Sequence, residues 1–489
     1  MSTLLKKKLR LCTVIFNGFA VLVASTLVNA ATLTFETIAL EGDSIPGAPV
    51  GTTFGFFNSV ASLNNQGEVA LNTILTGAGV APTNNQAIFS NAGGTSSLVV
   101  REGDIAPVSE GSVFFSALSF SDPALNSQGE ITFQADLTGD GVNLVNNRAI
   151  FTGGTGALSL VARTGDAVPG AEGTVLFTFN SISLNDQGEV AFGAVLTNAE
   201  GMRGVNSRNN EGIFSNVGST LSLLVREGDT APGAGEGVFF VSLGDPALNN
   251  QGQIAFVTDL DGPSVTNPND SAIFSDFEGE LSIVVRAGDT APVAGEGVYF
   301  DSFSNPALND QGEIAFQAAL EGDGVTFSNR QAIFSDVGGT LSLVVREGDA
   351  APGTQDGVFF DFLADPVLNN QGDVFIEANL TGPGLGFGDT GIFVKSDGEL
   401  SLLLLEGDII DFGDGDLATI NALTLSNNGF NDLGQIAFFA TLSDGRSGMF
   451  LATPDGIVAP VPLPAALPLM ASGLLGLVMI ARRRRSAQA

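Results

Sequence analysis

The sequence predicts an all-β fold, a seven-bladed β-propeller built from four-stranded repeats of about 60 residues, and three observations predict it. First, the stretch LNDQGEIAFQAAL at residues 308–320 returns in variant form seven times. Its glycines Gly67, Gly129, Gly188, Gly252, Gly312, Gly372 and Gly434 are separated by 62, 59, 64, 60, 60 and 62 residues. Second, every unit holds short apolar runs of period two, and no segment between the two ends of the chain has a helical period. Third, the repeats start and stop out of step. The last unit, beginning at Asp408, supplies only three strands, while ATLTFETIALEGD at residues 31–43 has the form and the GD sequel of a fourth strand. A ring closed by the N-terminal strand uses every strand and leaves no long edge open. A row of separate β-domains would leave each unit marginal at this size, and solenoid coils are much shorter.

The fifth unit illustrates the elements in order. VYFDSF from Val298 is its first strand, EIAFQAAL from Glu313 the second, AIFS from Ala332 the third and LSLVVR from Leu341 the fourth. Between the first two lies Asn309-Asp310-Gln311-Gly312. Glycine supplies the positive φ that closes such a hairpin, and the asparagine side chain bonds back to the turn. The equivalent asparagines are Asn64, Asn126, Asn185, Asn249, Asn369 and Asn431. Their expected role is architectural. A calcium reading of Asn309, Asp310 and Glu313 is weakened because the acid at the Asp310 position changes to Asn or Ser in other copies; no metal ligand set follows from the sequence.

Composition bounds the function. Residues 31–460 carry all 53 acidic residues but 11 of the 19 basic ones, because four basic residues lie in each end, so their formal charge is 11 − 53 = −42. Nucleic acid is excluded as a partner, since phosphate binding requires clustered Lys and Arg. The chain has no His, no Trp, one Tyr (Tyr299) and one Cys, Cys12, which falls within the predicted signal. Thiolate nucleophiles, Ser-His-Asp triads and His-ligated metals are therefore ruled out, leaving carboxylates as the acids and bases.

The ends carry addresses rather than fold. Lys6, Lys7, Lys8 and Arg10, the apolar run from Leu11 to Ala24 and the small residues around Ala30 read as a secretory signal over residues 1–30. The repeats then occupy 31–456. In 457–489, Val461, Pro462, Leu463, Pro464 and Ala465 precede an uncharged stretch to Ala481, and Arg482, Arg483, Arg484 and Arg485 follow it. That stretch is long enough for a marginal bilayer span held by the arginines on the cytoplasmic side.

This ending resembles the PEP-CTERM sorting signals of Gram-negative bacteria in their VPLPA variant. The resemblance implies processing by an exosortase-type membrane protease, a transient membrane anchor and delivery to the outer surface or extracellular matrix. The repeats themselves resemble bacterial tandem-repeat surface proteins with an NxxGxxAF consensus. Asn126 to Phe133, Asn185 to Phe192, Asn249 to Phe256, Asn309 to Phe316 and Asn431 to Phe438 fit its spacing, with Thr132 replacing Ala in the first of these; the first and sixth copies depart, ending in Leu71 and Ile376. That resemblance implies a surface protein of unassigned activity.

Alternation of connections in a blade places the loops between second and third strands on one face, together with the GD crossings. Those loops vary, as in TNAEGMRGVNSRNNE from Thr197, and a fixed scaffold with variable loops is how binding proteins are built. Glu102, Asp104, Glu227, Asp229, Asp289, Glu347 and Asp349 share this face and could ring it for calcium, or simply cap turns. DFGDGD at 411–416 is the densest calcium-loop candidate, and the unit with Met202, Arg203 and Arg208 is the most asymmetric. The expectation is a non-catalytic surface or matrix protein that binds exopolysaccharide or surface partners, with calcium as a possible aid and no other cofactor. The alternative is a carboxylate-dependent glycoside hydrolase or lyase on the same scaffold, disfavoured by the lack of Trp and the near-equivalence of the repeats.

Overall fold

The computed structural model describes residues 33–454 apart from 58–60, 110, 119–122, 155, 387 and 413–414. These residues form seven antiparallel sheets arranged as the blades of a propeller. The predicted signal and the sorting residues Val461 to Ala465 and Arg482 to Arg485 lie outside the described residues. Among the described residues no helix is long and apolar enough to cross a membrane.

Blade 5 runs outward from the axis as Val298–Phe303, Ile314–Gly322, Gln331–Ser335 and Ser342–Arg346. Its first strand has the expected bounds, and a further segment not expected from the sequence follows it. After Phe303 the chain breaks at Ser304-Asn305-Pro306, and a two-residue segment, Ala307–Leu308, pairs separately with the second strand. Proline has no N–H to give a ladder, which explains the break. In blades 3 and 7 the innermost strand is continuous, Thr174–Leu184 and Leu417–Phe430.

The consensus Ala-Phe pair is explained by which neighbour each residue meets. In a strand, successive side chains face opposite sides of the sheet. Ile314, Phe316, Ala318 and Leu320 pack with Ile273 and Val285 of blade 4, while Ala315 packs with Phe360, Val374 and Ile376 of blade 6. Each blade thus presents a bulky face to one neighbour and a smaller one to the other. In blade 5, Phe300, Phe316 and Phe334 are fully buried, and Phe300 meets Phe334 edge-on at 4.8 Å. The sixth copy inverts the sizes. Phe375 takes the Ala position and Ile376 the Phe position, and Phe375 stacks at 4.1 Å on Phe430, which stands where other copies have Leu. Phe375 of blade 6 and Phe430 of blade 7 face each other while Ile376 faces blade 5, so the larger and smaller faces of blade 6 are exchanged at this pair.

Ring closure follows the expected route. Leu33–Leu40 pairs antiparallel with Ser447–Pro454 as the outermost strand of blade 7, Leu33 opposite Pro454 and Leu40 opposite Gly448. Ala39, Met449 and Leu451 then share one apolar cluster with Phe54, Leu71 and Phe89 of blade 1.

Candidate functional site

The NxxG turns form a hoop around the axis. In it, asparagine side chains link six of the seven blade junctions, while Asn369 Nδ2 donates to Asp373 within its own turn. Asn309 Oδ1 accepts from the amides of Gln311 at 3.0 Å and Glu313 at 2.9 Å, and its Nδ2 donates to Glu313 Oε2 at 2.8 Å. The same Nδ2 also donates at 3.2 Å to the main-chain carbonyl of Asn369 in the next blade. Equivalent bonds join Asn64 to Asn126, Asn126 to Asn185, Asn185 to Asn249 and Asn249 to Asn309. Asn431 donates back to Asn64 at 2.9 Å across 367 residues of sequence. All seven asparagines are buried. Gly312 has φ +79°, and a Cβ there would stand 3.2 Å from the Phe277 ring, so glycine is required twice over.

A second hoop lies beside the first, at the spacer whose variation had counted against a metal. Around the ring the spacer reads Asn65, Ser127, Asp186, Asn250, Asp310, Asn370, Asp432. Amides and acids alternate, with the one unavoidable break of an odd ring falling between Asn65 and Ser127. Six of the seven main-chain amides donate to the next blade's side chain, as Asp186 to Asn250 Oδ1 at 2.7 Å and Asp310 to Asn370 Oδ1 at 2.8 Å. Asn250 Nδ2 bridges Asp186 and Asp310 at 3.0 and 2.9 Å, and Asn370 bridges Asp310 and Asp432 at 2.9 and 3.0 Å. Each of the three carboxylates is therefore separated from the next by a hydrogen-bonding residue, which limits the repulsion that adjacent acids would suffer.

These hoops frame one mouth of the axial channel, a cavity of about 190 Å³ that leads toward another of about 610 Å³. The larger cavity is lined by Ser181, Asp245, Asn305, Asp365 and Asn428 with apolar residues between them. Asp245 is held by the Ser181 hydroxyl at 2.8 Å and by Asn305 Nδ2 at 3.2 Å.

On the opposite face the acidic residues that could either ring it for calcium or cap turns are committed locally. Asp104, Asp229, Asp289 and Asp349 each accept the main-chain N–H of the preceding arginine three residues back, at 2.8–3.0 Å. Glu102, Glu227 and Glu347 accept the amides of Asn85, Asn210 and Arg330. Arg346 Nε binds the carbonyl of Asn329, and Nη1 that of Ala294, tying the outer strand to the neighbouring loops. In the DFGDGD segment, Asp416 receives both Nη atoms of Arg446 at 2.8–2.9 Å, and the guanidinium lies 4.6 Å over the Phe412 ring. Among the described residues no group of three or more carboxylates is placed to hold a metal ion.

Exposed side chains project from this face both in the crossings, at Val50, Ile105 and Val293, and in the variable loops. Phe327 in blade 5 is 87% exposed, Leu144 in blade 2 is 90% exposed and Met202 in blade 3 is 47% exposed. Arg203 and Arg208 follow Met202 in an exposed loop whose base is fixed by Asn198, which bonds Val205 in both directions at 3.0 and 3.1 Å.

Burial pushes the carboxyls of Asp276, Asp336, Asp365, Glu377, Asp408 and Glu227 above their usual range, offset in part by donors such as the Ile254 amide on Asp276 and the Ile314 amide on Asp336. A carboxyl whose folded pKa exceeds its unfolded value binds protons more readily when folded, so stability falls as pH rises through that interval and is regained on acidification. The thermal midpoint is accordingly expected to rise as the pH is lowered from neutrality toward the ordinary carboxyl range. A calorimetric series at fixed ionic strength that gave a falling midpoint over this range would contradict the assignment.

The profile of a family of unknown function (DUF7453) matches residues 21–465. The chain belongs to this family. No curated protein matches the chain. Solved structures similar to this DUF7453 protein include an oligogalacturonate lyase in complex with manganese, at 10% identity and TM-score 0.43, with 87% of this chain and 98% of that one covered. The β-propeller domain of the trilobed protease from Pyrococcus furiosus, which has an open velcro topology, is 9% identical at TM-score 0.43, with 82% and 97% covered. Trypanosoma rangeli sialidase is 12% identical at TM-score 0.33, with 69% and 55% covered.

Proposed function

We propose that this DUF7453 protein is exported and displayed on the outer surface or in the extracellular matrix, where its propeller is a non-catalytic scaffold that binds exopolysaccharide or surface partners. The observation that carries the reading is the division of labour between the two faces. The NxxG face is spent on hoops, and both described ends of the chain leave from it: Leu33 sits opposite Pro454, and Pro454 lies 3.7 Å from where a Cβ on the turn glycine Gly434 would be. With a C-terminal anchor of the VPLPA type processed by an exosortase-type protease, the variable loops would therefore point away from the membrane. Fixed turns at the base and unequal exposed loops at the tip are the arrangement of a binding protein.

The test is retention of the exported protein, recovered from the producing organism, on that organism's own exopolysaccharide, with calcium and again with a chelator. Retention supports the reading, and dependence on calcium would add a bridging cation to it. Absence of retention under both conditions sinks it. Appearance of new reducing ends in the same incubation would instead establish the carboxylate-dependent hydrolase or lyase.

A further inference from the structure

Residues 31–460 contain eleven basic side chains, and eight are occupied. Arg101, Arg163, Arg226, Arg286 and Arg346 bind main-chain carbonyls through Nε, and Lys395 binds that of Leu343. Arg148 pairs with Asp136, and Arg446 with Asp416 and Asp444. The remaining three are Arg203, Arg208 and Arg330. All three are exposed, and none forms an ion pair or a side-chain hydrogen bond with the described residues. Arg330 makes one contact, lying 5.5 Å over the ring of Phe327.

Their placement is not scattered. Arg203 and Arg208 lie in the loop between the second and third strands of blade 3, and Phe327 and Arg330 in the same loop of blade 5. Blade 4 stands between them, and its loop at residues 262–270 carries no basic side chain. The free positive charge of a domain with a formal charge of −42 is thus confined to one arc of one face, which also carries its most exposed aromatic ring.

We infer that this arc, Arg203 and Arg208 of blade 3 with Phe327 and Arg330 of blade 5, is the binding site for an extended anionic glycan bearing carboxylate or sulfate groups. The inference rests on the exopolysaccharide reading above and deepens it by naming site and ligand class. A planar guanidinium presents paired N–H donors that match a carboxylate or sulfate in bidentate fashion. Phe327, with a guanidinium stacked against it, offers a flat apolar surface on which a sugar ring can lie. A chain crossing from blade 3 to blade 5 would use both, and two separated contact points favour an extended polymer over a compact ligand. Because the rest of the domain repels anions, anionic recognition has only this arc to depend on.

The experiment uses the exported protein and five matrices: alginate for carboxylates, dextran sulfate for sulfates, unmodified dextran as the neutral control, immobilised polyglutamate as an anionic polymer that is not a glycan, and the native exopolysaccharide. The unsubstituted protein is expected to be retained on at least one anionic matrix about tenfold or more above dextran, and R203A/R208A/R330A to lose that difference. The thermal midpoint should be unchanged, since these side chains support nothing in the fold. Replacing the same three by Lys should leave intermediate retention, as charge persists without the bidentate geometry. Whichever anionic matrix retains more identifies the anionic group. Equal retention of the parent and the Ala variant, equal retention on neutral dextran, or retention on immobilised polyglutamate but on no glycan would each overturn the inference. Retention on the native exopolysaccharide without dependence on the three arginines would overturn it while leaving the proposed function intact; no retention on native material at all would remove both.

Discussion

Replacing Asn309 by alanine is expected to cost about 3 kcal/mol of unfolding free energy. The side chain is 3% exposed and serves four partners at once. Truncation strands the amides of Gln311 and Glu313 and the carbonyl of Asn369, and a buried group left unsatisfied costs more than the bond it lost. Asn309→Asp tests the hoop separately from the turn. The acceptor Oδ1 survives, so the turn can close, but the donor becomes an acceptor facing both Glu313 Oε2 and the Asn369 carbonyl. At pH 7 that variant should be nearly as destabilised as the alanine one, and it should recover on acidification as the new carboxyl protonates and can donate again. Gln311→Ala, in the same turn but exposed, should stay within about 0.5 kcal/mol of the parent. Denaturant melts of the three variants decide the matter; equal stability of Asn309→Ala and Gln311→Ala would mean that the hoop carries no strain of the ring.

What the sequence made legible was the part governed by period. Alternation in Leu341, Leu343 and Val345, the glycine spacing and the unmatched strand at residues 31–43 specify strands, blades and closure, because each depends on a local pattern repeated many times. The hoops were harder to read, because a bond from Asn309 to Asn369 spans 60 residues and only the closed ring brings the two together. The signal was nevertheless present. A turn alone would accept Asp or Ser at this position, since either can accept the amides of the turn; asparagine in all seven copies indicates that an N–H donor is also needed. The spacer carried a second signal that no single repeat could reveal. Asn65, Ser127, Asp186, Asn250, Asp310, Asn370 and Asp432 look like loose substitution until they are placed side by side on a circle. The GD carboxylates illustrate the converse. Asp349 in a Gly-Asp crossing is equally compatible with a ligand and with a cap, and only its 2.9 Å bond to the Arg346 amide distinguishes them. The free arginines became visible only by subtraction, once the partners of the other eight basic side chains were known.

Deleting residues 33–40 should have the largest effect of any change to the domain. The lost strand contributes a seven-pair ladder to Ser447–Pro454, the buried Ala39, and Phe35, which meets the fully buried Phe438 edge-on at 6.4 Å. Its removal bares the unpaired edge of a long apolar strand containing Met449, Phe450 and Leu451, and such an edge recruits other chains. It also opens the interface between blades 7 and 1, where Ala39 and Leu451 pack on Phe54 and Leu71. The combined loss is expected to exceed about 5 kcal/mol, comparable to the whole stability of many domains, so the truncated chain should be recovered as aggregate or as oligomers joined edge to edge. A closed ring makes one further demand. Because the missing strand is held by pairing and packing rather than by its covalent link to blade 1, a synthetic peptide of residues 31–43 supplied during refolding should restore a monomer, and the same peptide with Ala39→Asp should not, since it would bury a charge against Met449 and Phe54. Size-exclusion chromatography of the three mixtures reads the outcome. A monomeric, cooperatively unfolding deletion variant without peptide would show that six blades and three strands suffice, and the closure would then be an accessory of the fold rather than its lock.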